Sequence, residues 1–249
     1  MGGVDRLPSE SDRANMMHRL ILIAAIGAAL TACGGEKSSS EPVEAVKGTG
    51  ALSEDGVNLE VWLERLEVGS RELYSAREKV VAAVGVKEGD WIADIGAGTG
   101  LYSLLFAEAV GAKGRVFAED IEPLFLDLIN QRASDLRLGN VTAVLGREDH
   151  ITLPDESLDF VFIADTYHYF TEREAVMRSV YDALKPGGVL ILVEFDVIPG
   201  EARPDYKSHV RFGKASVVSE IEYIGFDYVR APDIEGLTEN YFLRFEKPK

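Results

Sequence analysis

The stretch Asp94-Ile95-Gly96-Ala97-Gly98-Thr99-Gly100 most constrains this chain, because it sets three glycines at every second position between an apolar run and a helical one. Trp91 to Ile95 reads as a short buried strand, and Leu101 to Val110 as the helix that follows. Glycine at such a junction lets the backbone turn tightly and lets a ligand approach with no Cβ in the way. Open α/β sheets bind ligands at the carboxyl ends of their strands, so the position of the loop adds to its composition.

The same grammar repeats downstream. Strands are expected at Gly114 to Glu119, with Asp120 ending the run, then at Val141 to Leu145, Leu158 to Ala164 and Val189 to Phe195. Helices are expected at Pro123 to Leu136 and Glu172 to Leu184, and Lys185-Pro186-Gly187-Gly188 reads as a turn. Strands alternating with helices predict a parallel sheet covered on both faces, and uninterrupted apolar runs such as Val189 to Val193 suit double burial. Phe226 to Ala231 and Tyr241 to Glu246 break the rhythm, since the short loop between them predicts antiparallel pairing. Upstream, Leu59, Trp62, Leu63 and Leu66, then Leu73, Val80, Val81 and Val84, follow helical spacing.

A dinucleotide fingerprint would place its third glycine where Leu101 stands, which disfavours a nicotinamide-dependent oxidoreductase. The spacing Asp-x-Gly-x-Gly-x-Gly instead resembles motif I of the class I S-adenosylmethionine (SAM)-dependent methyltransferases. The acid at Asp120 followed by Ile121, and the Leu184-Lys185-Pro186-Gly187-Gly188 turn, occur in that family's order. Ser70 to Tyr74, Asp165 to His168, His209 to Arg211 and Glu239 to Phe245 resemble a poorly characterised bacterial group within it. The resemblance implies an α/β, Rossmann-like fold: a seven-stranded, mostly parallel sheet with one antiparallel strand and helices on both faces. It implies SAM as cofactor and contacts to it from Tyr74, Asp94, Gly96, Ala97, Gly98, Gly100, Asp120, Ile121, Glu148, Asp149 and Asp165. Asp120, in preference to its neighbour Glu119, would accept from the ribose hydroxyls, because an ionised carboxylate is acceptor-only. Asp149, with Glu148 as the alternative, would meet the adenine amino group.

Methyl transfer from a sulfonium is an in-line displacement that needs alignment and, for many acceptors, removal of a proton. His168 and Tyr167, after the fourth strand, are the candidate catalytic residues, with His168 as general base because imidazole titrates near neutral pH. The competing reading makes His168 a hydrogen-bonded packing residue. Glu194, Asp196, His209 and Arg211 are further candidates for the pocket wall. The four histidines show no tight ligand spacing, so no metal site is expected.

Charge limits the acceptor. At −16, the chain lacks the basic footprint of a nucleic-acid partner, which leaves a small-molecule or lipid-like acceptor. Met17-His18-Arg19 and the apolar run Leu20 to Leu30 have a signal-peptide shape, and Leu30-Thr31-Ala32-Cys33 resembles a bacterial lipobox. The expected plan is upstream residues and signal at 1–32, a flexible tether at 33–55, a helical cap at 56–89 and the SAM-binding domain at 90–249. Lipid on Cys33 would anchor the domain to a membrane at its periplasmic face; an unused signal would leave it cytoplasmic. Since SAM is made in the cytoplasm, a signal that exports the chain admits a second reading, an exported lipoprotein that binds SAM or a related nucleoside without catalysis.

Overall fold

The structure is a computed structural model, and it describes residues 58–197, 210 and 212–249, all within one unit that spans Ala45–Lys249. The expected signal, the tether, Cys33, His209 and Arg211 lie outside the described residues. Helix α1 (Leu59–Leu66) starts where the Asn58 side chain accepts from the N–H groups of Glu60 and Val61. The second upstream stretch forms two helices, α2 (Glu72–Ser75) and α3 (Arg77–Val84), which break at Ala76. Leu73, Val80 and Val84 are fully buried against Ile92 and Phe106, so this helical segment shares a core with the sheet.

The sheet then follows the expected alternation: β1 (Trp91–Ile95), α4 (Leu101–Val110), β2 (Arg115–Asp120), α5 (Pro123–Asp135), β3 (Val141–Leu145), β4 (Leu158–Ala164) and α6 (Arg173–Ala183). Pro123 at the start of α5 and the Glu122 side chain, which accepts from the Leu124 N–H, set where that helix begins. Strand β5 runs Leu184–Phe195, so the expected turn at Lys185 to Gly188 belongs to the strand, which is kinked at Gly187 with φ +79°. Helix α7 (Lys214–Ile224), which the periodicity reading did not identify, leads to β6 (Asp227–Arg230) and β7 (Asn240–Glu246).

Strand order is β3-β2-β1-β4-β5-β7-β6, and β7 runs antiparallel to both its neighbours. The expected single antiparallel strand is therefore β7. One face packs Val80, Phe106, Ile191 and Phe242 beneath α3 and α4. The other packs Ile163, Val180, Leu192 and Ile221 beneath α6 and α7. Connections diverge between β1 and β4, which opens a crevice at their carboxyl ends.

Candidate active site

The glycine loop forms one wall of that crevice. Gly96, Gly98 and Gly100 hold φ of +67°, +54° and +80°, a region costly for any residue with a Cβ. A Cβ on Gly96 would also overlap the Thr166 side chain, so the loops after β1 and β4 touch there. Beneath the loop, Asp94 accepts from the Ser103 hydroxyl at 2.6 Å, which ties β1 to the first turn of α4. Burial pushes the Asp94 carboxyl up to about 7, against the pull of the Ser103 hydrogen bond.

Two adjacent carboxylates at the end of β2 hold the loop from the side. Asp120 accepts from the Gly98 N–H at 2.9 Å through Oδ2 and from the Glu122 N–H at 2.9 Å through Oδ1. Burial raises its pKa, and these N–H groups oppose that. An ionised carboxylate has about four lone-pair sites. Two are used here, so Asp120 retains capacity for a vicinal diol. Glu119 accepts from the Gly96 N–H at 3.3 Å, and its backbone carbonyl from Ala97 at 2.9 Å. Its carboxyl fills the place a Cβ on Gly146 would need, so it spans the loops after β1 and β3. Burial, reinforced by the charges of Asp120 and Asp94, pushes Glu119 up to about 8.

Beyond β3, Glu148 and Asp149 are exposed, with Asp149 paired to Arg147 at 3.1 Å. Ile121 is exposed beside Asp120. Tyr74 is half-buried, with the Arg77 guanidinium 4.6 Å above its ring. Asp165 takes positive φ (+48°) and accepts from Arg71 at 2.8 Å and from the Asn240 amide at 2.6 Å. Burial pushes its carboxyl up to about 6, against the attraction of Arg71.

His168 lies with Nδ1 2.8 Å from Oε2 of Glu194, at the carboxyl edge of β5; the two side chains are 2% and 1% exposed. Glu194 also accepts from the backbone N–H groups of His168 at 3.3 Å and Phe195 at 2.8 Å. One carboxylate oxygen, Oε2, thus meets both the ring and the backbone of the turn that carries it, while Oε1 takes the Phe195 N–H. Tyr167 is placed differently. Its ring is buried, and its hydroxyl donates to Glu220 on α7 at 2.6 Å beside Arg173, at a cavity of about 380 Å³ between α6 and α7. The expected catalytic use of Tyr167 does not fit this placement, because α7, the element that was not anticipated, takes its hydroxyl. Asp196, at the end of β5, donates its backbone N–H to Glu239.

The structure therefore brings Asp94, Gly96, Ala97, Gly98, Gly100, Asp120 and Asp165 to one crevice, and His168 with Glu194 to its rim. Sequence reasoning missed Arg71, Arg132 and Asn240. Arg132 on α5 donates to Thr99 O at 2.7 Å and pairs with Glu67 just beyond α1. Leu66, ending α1, lies 3.4 Å from where a Cβ on Gly98 would sit, so α1 borders the glycine loop. Arg71 and Asn240 stood within stretches that resembled the bacterial group; nothing in their spacing showed that they meet.

The glycine loop with an acceptor-only carboxylate beside it suits a nucleoside with a vicinal diol. Comparisons agree. A family profile described as a methyltransferase domain matches residues 92–188. The ubiquinone/menaquinone biosynthesis C-methyltransferase UbiE of Pseudoalteromonas translucida is 32% identical over 120 residues, 48% of each chain. That of Psychromonas ingrahamii is 27% identical over 162 residues, 65% of this chain and 64% of its own. The chain spans about half the length of most of the curated relatives it matches. Among solved structures, a SAM-dependent methyltransferase from Aquifex aeolicus superposes with a TM-score of 0.65 at 25% identity, over 76% of this chain and 98% of that one. A Haemonchus contortus phosphoethanolamine N-methyltransferase 2, in complex with SAM, is similar in fold alone, at 16% identity and a TM-score of 0.60 over 78% of this chain and 60% of that one. Residues 92–188 thus match a methyltransferase domain, on the Rossmann-like fold that the solved methyltransferases share.

Proposed function

We propose that the chain transfers a methyl group from SAM to a small or lipid-like acceptor bearing an ionisable proton, and that His168 removes this proton. The observation that carries the reading is the buried His168–Glu194 contact of 2.8 Å at the rim of the cofactor crevice. A carboxylate on one ring nitrogen orients an imidazole and stabilises the imidazolium formed when it takes a proton. When bound, SAM supplies an electrophilic methyl on a sulfonium; the acceptor forms the new bond, the sulfur keeps the old electron pair, and S-adenosylhomocysteine leaves. The protein's own part is alignment and proton removal. Gly96 to Gly100 and Asp120 would hold the nucleoside, Asp165 would steady the loop after β4 through Arg71 and Asn240, and His168 would receive the proton.

The C-methyltransferase relatives favour an electron-rich ring, such as a quinol, among the acceptors to be tried. Lipid on Cys33 would keep the domain near an acceptor dissolved in a membrane, and palmitate labelling that persists in Cys33→Ala would refute that anchor. To test the chemistry, the wild type and His168→Asn are assayed with labelled SAM across quinols, phenols and amines. The variant is expected to bind SAM as the wild type does while kcat falls by about 10²–10⁴, the usual contribution of a positioned base. An unchanged kcat would remove His168 from the mechanism.

A further inference from the structure

Tyr167 and His168 share a single 3-10 turn, Tyr167–Tyr169, after β4. A turn this short makes few hydrogen bonds of its own: the N–H groups of Tyr169 and Phe170 reach Thr166 O at 2.9 Å and Tyr167 O at 3.2 Å. Its place therefore depends on side chains. On one side, Glu194 of β5 accepts from the His168 N–H at 3.3 Å. On the other, the Tyr167 ring, only 1% exposed, enters the core that holds Met177 and Ile221, and its hydroxyl donates to Oε2 of Glu220 on α7 at 2.6 Å. Arg173, the first residue of α6, donates to the same oxygen through Nε at 3.1 Å, and its guanidinium covers the Phe212 ring at 4.0 Å. Burial and the Glu220 carboxylate both raise the Tyr167 pKa, so the hydroxyl stays a donor.

A 3-10 turn has three residues per turn, so successive side chains point about 120° apart and whatever anchors Tyr167 also sets the direction of His168. Ring burial limits how far Tyr167 moves sideways, and the hydrogen bond fixes how deep it sits. We propose that Glu220 is a positioning residue for the base: through the Tyr167 hydroxyl it holds the turn at the height where the His168 ring meets Glu194 at 2.8 Å. The inference rests on the reading of His168 as base above and deepens it. It gives Tyr167 a use other than the catalytic one expected from the sequence, and it makes α7 part of the site. Arg173 holds Glu220 in turn, at the wall of the cavity between α6 and α7, where the two side chains are 29% and 36% exposed.

The competing role is plain docking of α7, which would lower the melting temperature of a variant without touching its rate. Wild type, Tyr167→Phe, Glu220→Leu, Glu220→Gln and the double variant Tyr167→Phe/Glu220→Leu are assayed beside His168→Asn with labelled SAM and the same quinols, phenols and amines, with melting followed in parallel. Tyr167→Phe and Glu220→Leu are each expected to lower kcat by about 10–100-fold, the scale of a misplaced catalytic group, with KM for SAM unchanged. The double variant should fall no further than either single one, because all three lose the same contact, and Glu220→Gln, which keeps an acceptor for the hydroxyl, should recover most of the rate. A second measurement needs no acceptor. The His168 ring signal of 13C-histidine-labelled protein, assigned by its loss in His168→Asn, is expected sharp in the wild type and broadened or doubled in Tyr167→Phe. A wild-type kcat in Tyr167→Phe, an unchanged ring signal, or penalties that add in the double variant would overturn the positioning role. Should Tyr167→Phe fail to fold, Glu220→Leu against Glu220→Gln carries both comparisons, and where no acceptor reacts the ring signal decides. Loss of rate in His168→Asn without loss in Tyr167→Phe rejects the positioning alone; an unchanged rate in His168→Asn rejects the base, and the positioning with it.

Discussion

Glu119 and Asp120 are neighbours on β2, but their side chains leave opposite faces of the strand and meet different charges. Glu119 has the higher folded pKa, about 8, because it is buried against the N–H of Gly96 with only acids, Asp94 and Asp120, for charged company. A carboxyl whose folded pKa lies above its unfolded value binds more protons folded than unfolded between the two, so stability falls as pH rises through that window. For Glu119 the window runs from the ordinary value of 4.5 to about 8. Glu119→Gln keeps an acceptor for Gly96 without the charge. It should melt higher than the wild type at pH 8.5 and nearly level with it at pH 5, by about 2–4 °C for each kcal/mol of relief. Scanning calorimetry across this range checks the prediction, and a difference independent of pH would show that Glu119 is not the group responsible. Residue identity made Asp120 legible, since an acid followed by Ile at a strand end resembles a known pattern. The depth of Glu119 was not legible, because it depends on Gly146 leaving room for it from a different strand.

Elements were legible in proportion to their apolar pattern. β1 and α4 fall where expected, since a run of buried residues bounded by glycine leaves little choice of boundary, and β3 also falls where expected although its residues are only half-buried or exposed. Helix α7 escaped notice because only Val217 and Ile221 of its eleven residues are buried, too narrow a stripe to stand out among Ser and Glu. Its absence from the sequence reading also misdirected Tyr167, whose hydroxyl bonds to Glu220 on that helix. The contact between Asp165 and Asn240 bridges 75 positions and follows only from β7 running antiparallel beside β5. Helix α1 shows how weakly an element can be held by apolar contact: none of its residues is fully buried. Its place at the glycine loop depends on the Trp62 ring edge-on to Phe125 at 5.8 Å and on the pair between Glu67 and Arg132, whose side chains are 10% and 12% exposed. Replacing Arg132 with Met would leave Glu67 mostly buried without its cation, and breaking such a pair costs about 3 kcal/mol. Urea denaturation should show a loss of that order. A loss below about 0.5 kcal/mol, typical of a neutral surface change, would mean that the pair does not hold α1 in place.

Across the whole molecule, the sheet order puts the crevice between β1 and β4, and four buried acids lie around it. Asp94, Glu119, Asp120 and Asp165 are all buried near the glycine loop, where burial raises each pKa. A crevice of this kind suits a ligand that brings positive charge, as a sulfonium does, better than one that brings a pyrophosphate. The argument against a dinucleotide stays with Leu101, which stands where the third glycine of that fingerprint would be. Order and spacing of the motifs made that much legible at the start; the triad of Arg71, Asp165 and Asn240 needed the folded chain. Calorimetric titration of the full chain with SAM, S-adenosylhomocysteine and NAD tests the central claim most directly. The account predicts saturable binding at one site for both sulfur nucleosides and no heat with NAD, whereas binding of NAD alone, or of none of the three, would contradict it.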